Sequence, residues 1–226
     1  MSTYNIERSV GKTTYFLSFV DYHMLMKINS KSDRRVRKTE SAIFSALTAL
    51  LREKPLGDIS IRELTEKADV HRATFYDHYT DINDCFEALQ SSILDEINSV
   101  LKSSPELDYP LIYANVLSYV KDNQNVLSIL LGRNGSAEFQ DHLASLIKED
   151  YLENIHHEYP NLKQDATWDY IASYHTNGNI GMINCWIDND CSLPSDKMVQ
   201  LMLQADSLLD SMFDRKASSR KTSLIQ

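Results

Sequence analysis

The chain has little of what punctuates or staples a fold. Its 226 residues include six glycines, five prolines and three cysteines. The cysteines (Cys85, Cys185, Cys191) are odd in number and form no C-x-x-C pair, which argues against a disulfide framework or a zinc ribbon and suits a reducing, cytoplasmic setting. So few glycines and prolines beside 42% apolar residues exclude a low-complexity chain. No run alternates apolar with polar residues, so strands are not expected. The apolar stretch YFLSFV (15–20) is too short to span a membrane, and no secretory cleavage pattern follows it. Catalytic signatures are missing too: there is no G-x-S-x-G, H-E-x-x-H, P-loop or G-x-G-x-x-G. His156 and His157 are adjacent and point to different sides of a helix, while Glu138 and His142 supply two ligands where a metal site needs more. The chain does not read as an enzyme, and no cofactor or metal is expected.

Leucine, isoleucine and alanine instead recur at helical spacing nearly throughout, which makes the fold class all-α. Positive charge is scarce overall, with a net charge of −9, but it is unevenly placed. Residues 31–80 hold ten basic and eight acidic side chains, and residues 81–226 hold ten basic and twenty-two acidic. An acidic body behind a mildly basic head orients the head toward nucleic acid; an acidic surface is also simply soluble. The segment KSDRRVRK (31–38) carries five of the basic residues and suits phosphate contact or minor-groove reach as an arm leading into the first helix. Residues 1–30 form an N-terminal extension with two open readings. Translation begins near Met24 or Met26, or the extension is a genuine appendage.

The most informative stretch is SIRELTEKADVHRATFYDHY (60–79). Ser60 and Glu63 form an S-x-x-E capping box that satisfies two orphan amides and starts a short helix with Ile61, Leu64 and Ala68 on its apolar stripe. Asp69 sits at the turn, since Asp tolerates the left-handed conformation. A second helix follows, with Phe75 and Tyr79 inward and His71, Arg72, Thr74, Tyr76 and His78 on or near the surface. Such side chains donate to phosphates and base edges, and a helix-turn-helix places that second helix in the major groove.

Around this motif the pattern gives a first helix from about Arg35 to Glu53, ended by Pro55 and Gly57. Asp81 then caps a long helix through about Leu101, and Ser103-Ser104-Pro105 breaks the pattern. Further helices start at Asp108-Tyr109-Pro110, resume after Asp122-Asn123, and run over about Ala137–Tyr159, 165–188 and Ser195–Phe213. Cys85 and Cys185 read as small core residues. Trp168, Tyr174, His175 and Trp186, with Tyr170 and three asparagines nearby, place aromatics and amides on a helix that should otherwise be plainly apolar. They line a ligand pocket, or they fill dimer and surface positions.

From about Arg34 to Ser99 the sequence resembles the TetR-type transcriptional regulators. The likeness rests on TESAIFSALTALLRE, ISIRELTEKADV, ATFYDHYTD and INDCFEALQSSILDEI. The later helices FQDHLASLIKEDYLENI and YIASYHTNGNIGMINCWIDND resemble, more loosely, the C-terminal half of some of these regulators, in which two long helices pair with their copies. Gly178 and Gly181 suit such a close approach. The resemblance implies a three-helix DNA-binding head (31–96, motif about 60–79), a larger helical ligand-binding and dimerisation body (97–214) and a disordered tail (215–226). It implies a homodimeric repressor on a double-stranded, pseudo-palindromic operator, responsive to an unidentified small-molecule effector, with no membrane partner. In that mechanism His71, Arg72, Ala73 and Thr74 lie against base edges. Tyr76, His78, Ser60 and Arg62 hold phosphates. Three positions depart from the family: Asp69 replaces the turn glycine, Asp77 a basic residue near phosphates, and Ile82 a lysine. The lost charges favour an alternative, a protein-interaction module that keeps the fold with weak or no DNA binding.

Overall fold

A computed structural model of the protein describes residues 31–103, 108–132, 135–160 and 167–207, with side chains from Arg35 onward. The expected N-terminal extension and C-terminal tail lie outside the described residues, as do Ser104 and Pro105. The described residues are helical, without strands. The head comprises α1 (Lys31–Leu51), a 3-10 turn (Leu56–Asp58), α2 (Ile61–Ala68) and α3 (Arg72–His78). The long α4 (Ile82–Leu101) leads into a body of α5 (Tyr109–Asp122), α6 (Gln124–Leu130), α7 (Ala137–Glu158), α8 (Thr167–Asp188) and α9, described over 195–207. None of the described helices is long and apolar enough to cross a membrane.

Side-chain caps fix where the helices begin. Asp81 accepts from the Asp84 amide at 3.0 Å to open α4, Asp108 from Leu111 at 3.1 Å to open α5, and Ser136 from Phe139 at 3.2 Å to open α7. Each satisfies a donor that has no partner inside its helix. The expected capping box at α2 forms only by half. Ser60 Oγ accepts from the Glu63 amide at 3.2 Å, but the Glu63 carboxylate is held by Lys54 Nζ at 2.5 Å. A full positive charge outcompetes the Ser60 amide for it.

One apolar core runs through both parts, from Ile43 and Leu47 in α1 through Phe75, Leu89 and Ile93 to Leu127, Leu143, Ile183 and Met202. The boundary expected at residue 96 therefore falls inside α4, a helix that serves head and body together. Polar ties reinforce the join. Arg52 donates to Asn125 Oδ1 at 2.9 Å, linking the end of α1 to α6. Lys102, just past α4, reaches Glu153 at 2.6 Å and Asp150 at 3.2 Å on α7. Tyr119 of α5 donates to Glu96 of α4 at 3.0 Å.

Two details differ from the sequence reading. α1 begins at Lys31 rather than at about Arg35, so the basic segment is the start of the helix and not an arm before it. Cys185 is exposed, while Cys85 and Cys191 are buried. α8 has one apolar face only, and residue 185 falls on the other. Gly178 and Gly181 share that outer face, and among the described residues no atom outside their own stretch of helix lies within 4 Å of where their Cβ atoms would stand.

Candidate nucleic-acid interface

Two short helices and a left-handed turn build the interface. α2 ends at Asp69, whose φ of 53° and ψ of 45° lie in the left-handed region that Asp tolerates. The turn is closed by the Val70 amide on the Thr65 carbonyl at 3.1 Å. Thr65 is itself buried, its hydroxyl donating back to the Ile61 carbonyl at 2.8 Å. His71 and Tyr79 bracket α3 in extended conformation.

At seven residues α3 is too short to persist alone. It is held by its inward face. Phe75 is fully buried, and Tyr79 packs 5.5 Å from Phe75 and 6.1 Å from Phe44 of α1, ring centroid to ring centroid. Burial raises the Tyr79 phenol well above its ordinary range. With that face anchored, the opposite one is left outward: His71, Arg72, Ala73, Tyr76 and Asp77 are exposed, and Thr74 and His78 are half-buried. Tyr76 is 55% exposed, its ring edge-on to Phe75 at 5.7 Å.

The electrostatics around α3 are mixed. Arg62 is paired with Glu66 at 2.7 Å, Lys54 with Glu63, and Lys67 with Glu53 at 3.4 Å. Glu66 pushes the Arg62 guanidinium up from its usual value, and the Lys54 hydrogen bond holds the Glu63 carboxyl below the ordinary range. His78 turns Nδ1 toward Glu40 of α1 at 3.9 Å, with its side chain 16% exposed. Among the described residues Arg72 makes no ion pair or hydrogen bond and is free to meet an anion. Of the eight residues Ser60, Arg62, His71, Arg72, Ala73, Thr74, Tyr76 and His78, all are exposed except Thr74 and His78, which are half-buried. Ser60 stands at the exposed start of α2, and the half-buried His78 lies toward Glu40 of α1.

The four expected ligand-pocket residues do not share a cavity. Trp168 is buried with Tyr151, Ile155 and Ala172 in a second small cluster, and Tyr174 is 70% exposed. His175 stacks on Tyr151 with centroids 3.9 Å apart; its Nε2 lies 3.4 Å from Asp206 and from the Tyr113 hydroxyl, which bonds the same carboxylate. Trp186 donates its indole N–H to the Leu193 carbonyl at 2.8 Å. An apolar cavity of about 50 Å³ lies elsewhere, between α4 and helices α5–α8, lined by residues such as Ile97, Val116, Leu127, Leu143, Ile147 and Ile183. Sequence reasoning missed it because these are ordinary aliphatic core residues, and no one of the five helices marks them as different from neighbours that pack solidly.

Comparison with known proteins agrees with this architecture. Residues 43–89 match the model described as "Bacterial regulatory proteins, tetR family", and residues 110–205 match one described as "Transcriptional regulator C-terminal region". The chain is 32% identical over 101 residues to the uncharacterized HTH-type transcriptional regulator YxbF of Bacillus subtilis (strain 168), covering 44% of this chain. It spans only 24% of that relative's length. Its fold is similar to that of a TetR transcriptional regulator from Streptococcus agalactiae 2603V, with a TM-score of 0.56, 22% identity, and 77% of this chain and 96% of that one covered. It is also similar to FadR from Bacillus subtilis in complex with stearoyl-CoA, with a TM-score of 0.54, 13% identity, and coverage of 73% and 95%.

Proposed function

Because this chain belongs to the TetR family of bacterial regulatory proteins, we propose that it is a homodimeric, effector-responsive repressor that reads a pseudo-palindromic operator with α3. The carrying observation is the outward face of α3, where among the described residues Arg72, Thr74 and Tyr76 make no side-chain hydrogen bond or ion pair while Phe75 locks the helix from behind. His71, Arg72, Ala73 and Thr74 meet base edges. Tyr76 and His78 hold phosphates, joined by Ser60, Arg62 and the basic residues of α1. Two copies pair through the outer face of α8, where Tyr170 is 77% exposed, Tyr174 flanks it, and Gly178 and Gly181 leave open space for a partner helix.

The effector acts at the apolar cavity beside α4. Its walls are aliphatic apart from Tyr119, whose hydroxyl is engaged by Glu96. The occupant is therefore an apolar group, as is the acyl chain of the stearoyl-CoA bound by the FadR relative. At about 50 Å³ the cavity is smaller than the ~300 Å³ at which ligand sites usually begin. Filling it parts α4 from the body, and α4 carries the head. The ligand shifts the spacing of the heads only by its differential affinity for the two settings.

Acidic pairing of Arg62, Lys54 and Lys67 favours a second reading, a protein-interaction module on this fold with little DNA contact. Binding to mixed-sequence duplex at low salt separates the two. The repressor reading expects wild-type binding that Thr74→Ala/Tyr76→Ala weakens at least about 10-fold. No binding by folded, dimeric wild type would leave the interaction module standing.

A further inference from the structure

We infer that Asp77 is a base-reading residue that selects cytosine in the major groove, an inference that rests on the DNA-reading function proposed for α3. Its place on the helix is the first argument. At about 100° per residue, Ala73 and Asp77 each lie about 160° from the buried Phe75, one on either side of the outward midline. Arg72 and Tyr76 fall about 60–100° to one side of Phe75, and Thr74 and His78 equally far to the other. Ala73 and Asp77 are exposed, as are Arg72 and Tyr76 on one flank, whereas Thr74 and His78 on the other are half-buried. A helix seated in a groove turns its midline to the base edges and its flanks to the two phosphate walls. Tyr76 and His78, both donors, occupy opposite flanks where phosphates need donors, while Arg72 and Thr74, at the N-terminal end of α3, reach base edges beside Ala73. The midline residues are one without a polar group and one carboxylate a turn further on.

The chemistry of that carboxylate is the second argument. It only accepts hydrogen bonds, so phosphates repel it and base edges that show acceptors reject it. Guanine shows N7 and O6 in the major groove, and thymine shows O4 and a methyl group. Adenine offers its N6 amino group beside the N7 acceptor, whereas cytosine offers N4 with no acceptor next to it. Among the described residues Asp77 has no hydrogen bond or ion pair that would occupy it instead. Arg62, Lys54 and Lys67 are each engaged by a glutamate, while Asp77 has been left without a cation. A carboxylate brought unpaired into the groove opposes binding, so one amino group at the right base pair separates a good site from a poor one.

The test is selection of bound duplexes from a random pool by the full chain and by its D77N and D77A variants, which keep the fold because the residue is exposed. Wild type is expected to fix C at one position of each half-site, with about 10-fold discrimination against the other bases. D77N moves that position to A, which an amide reads through N6 and N7, and D77A accepts all four bases there. If both variants keep every wild-type preference and merely bind all duplexes more tightly with steeper salt dependence, Asp77 faces phosphate and the inference fails alone. If wild type enriches nothing, the DNA-reading function fails and the inference with it.

Discussion

Phe75→Ala probes the feature from which the exposed face of α3 was derived. The ring is fully buried in the apolar core and meets Tyr79 at 5.5 Å, which in turn lies 6.1 Å from Phe44 of α1. Truncation removes the buried ring and leaves a void that the short helix cannot collapse to fill, a loss of about 3–5 kcal/mol. Against a total stability of about 5–15 kcal/mol for a domain, that is a large fraction. Seven residues of helix cannot offset it, because an isolated helix of that length does not persist in water. Urea unfolding followed by far-ultraviolet circular dichroism, at fixed protein concentration because the proposed dimer would link stability to concentration, reads the change directly. Tyr76→Ala is the control: that side chain is 55% exposed and touches the core only through its edge contact with Phe75, so its cost stays below about 1 kcal/mol. Phe75→Ala costing less than about 1 kcal/mol, or Tyr76→Ala costing more than Phe75→Ala, would mean that α3 is rotated from the orientation described and that its outward residues are not those named.

Other consequences are open to measurement. Burial pushes the Cys85 thiol up to about 12, so peptide-mapped alkylation at pH 8 should label Cys85 only after unfolding; rapid native labelling would contradict its burial. Asp69 holds φ at 53°: Asp69→Gly should be neutral or stabilise by up to about 1 kcal/mol, and Asp69→Val should cost about 1–2 kcal/mol, in chemical denaturation. Equal effects from the two would show that the turn is not left-handed. Lys102→Met leaves Asp150, 8% exposed, with the Asn154 amide at 3.0 Å as its remaining side-chain partner among the described residues, and should cost about 1–2 kcal/mol. Adding Asp150→Asn should recover part of that loss, and no recovery would place the loss in packing of the lysine stem rather than in the ion pair.

The head was legible because its determinants are local. Ser60 at the start of α2, Asp69 at the turn, and Phe75 with Tyr79 four residues apart act over a few residues of chain, so their pattern survives in the sequence. Even there a distant partner intervened: Lys54, nine residues from Glu63, takes the carboxylate that the capping box needs. The body was legible as helices and opaque as a site. Trp168, Tyr174, His175 and Trp186 were singled out for chemical type, yet type does not say whether a side chain faces a cavity, a second cluster or solvent. Cys185 falls within a helical pattern that suits a small core residue, yet α8 turns it outward. The apolar cavity depends on five helices meeting imperfectly, a property of their packing and not of any one segment.

Selection from a random duplex pool by wild type and by Thr74→Ala/Tyr76→Ala tests the central claim most directly. The outward face of α3 should give wild type a palindrome with half-sites about one helical turn apart, or a multiple of it, and the variant should enrich nothing. Enrichment of the same sequence by both proteins, or by neither when both are folded and dimeric, would contradict the assignment of DNA reading to that face.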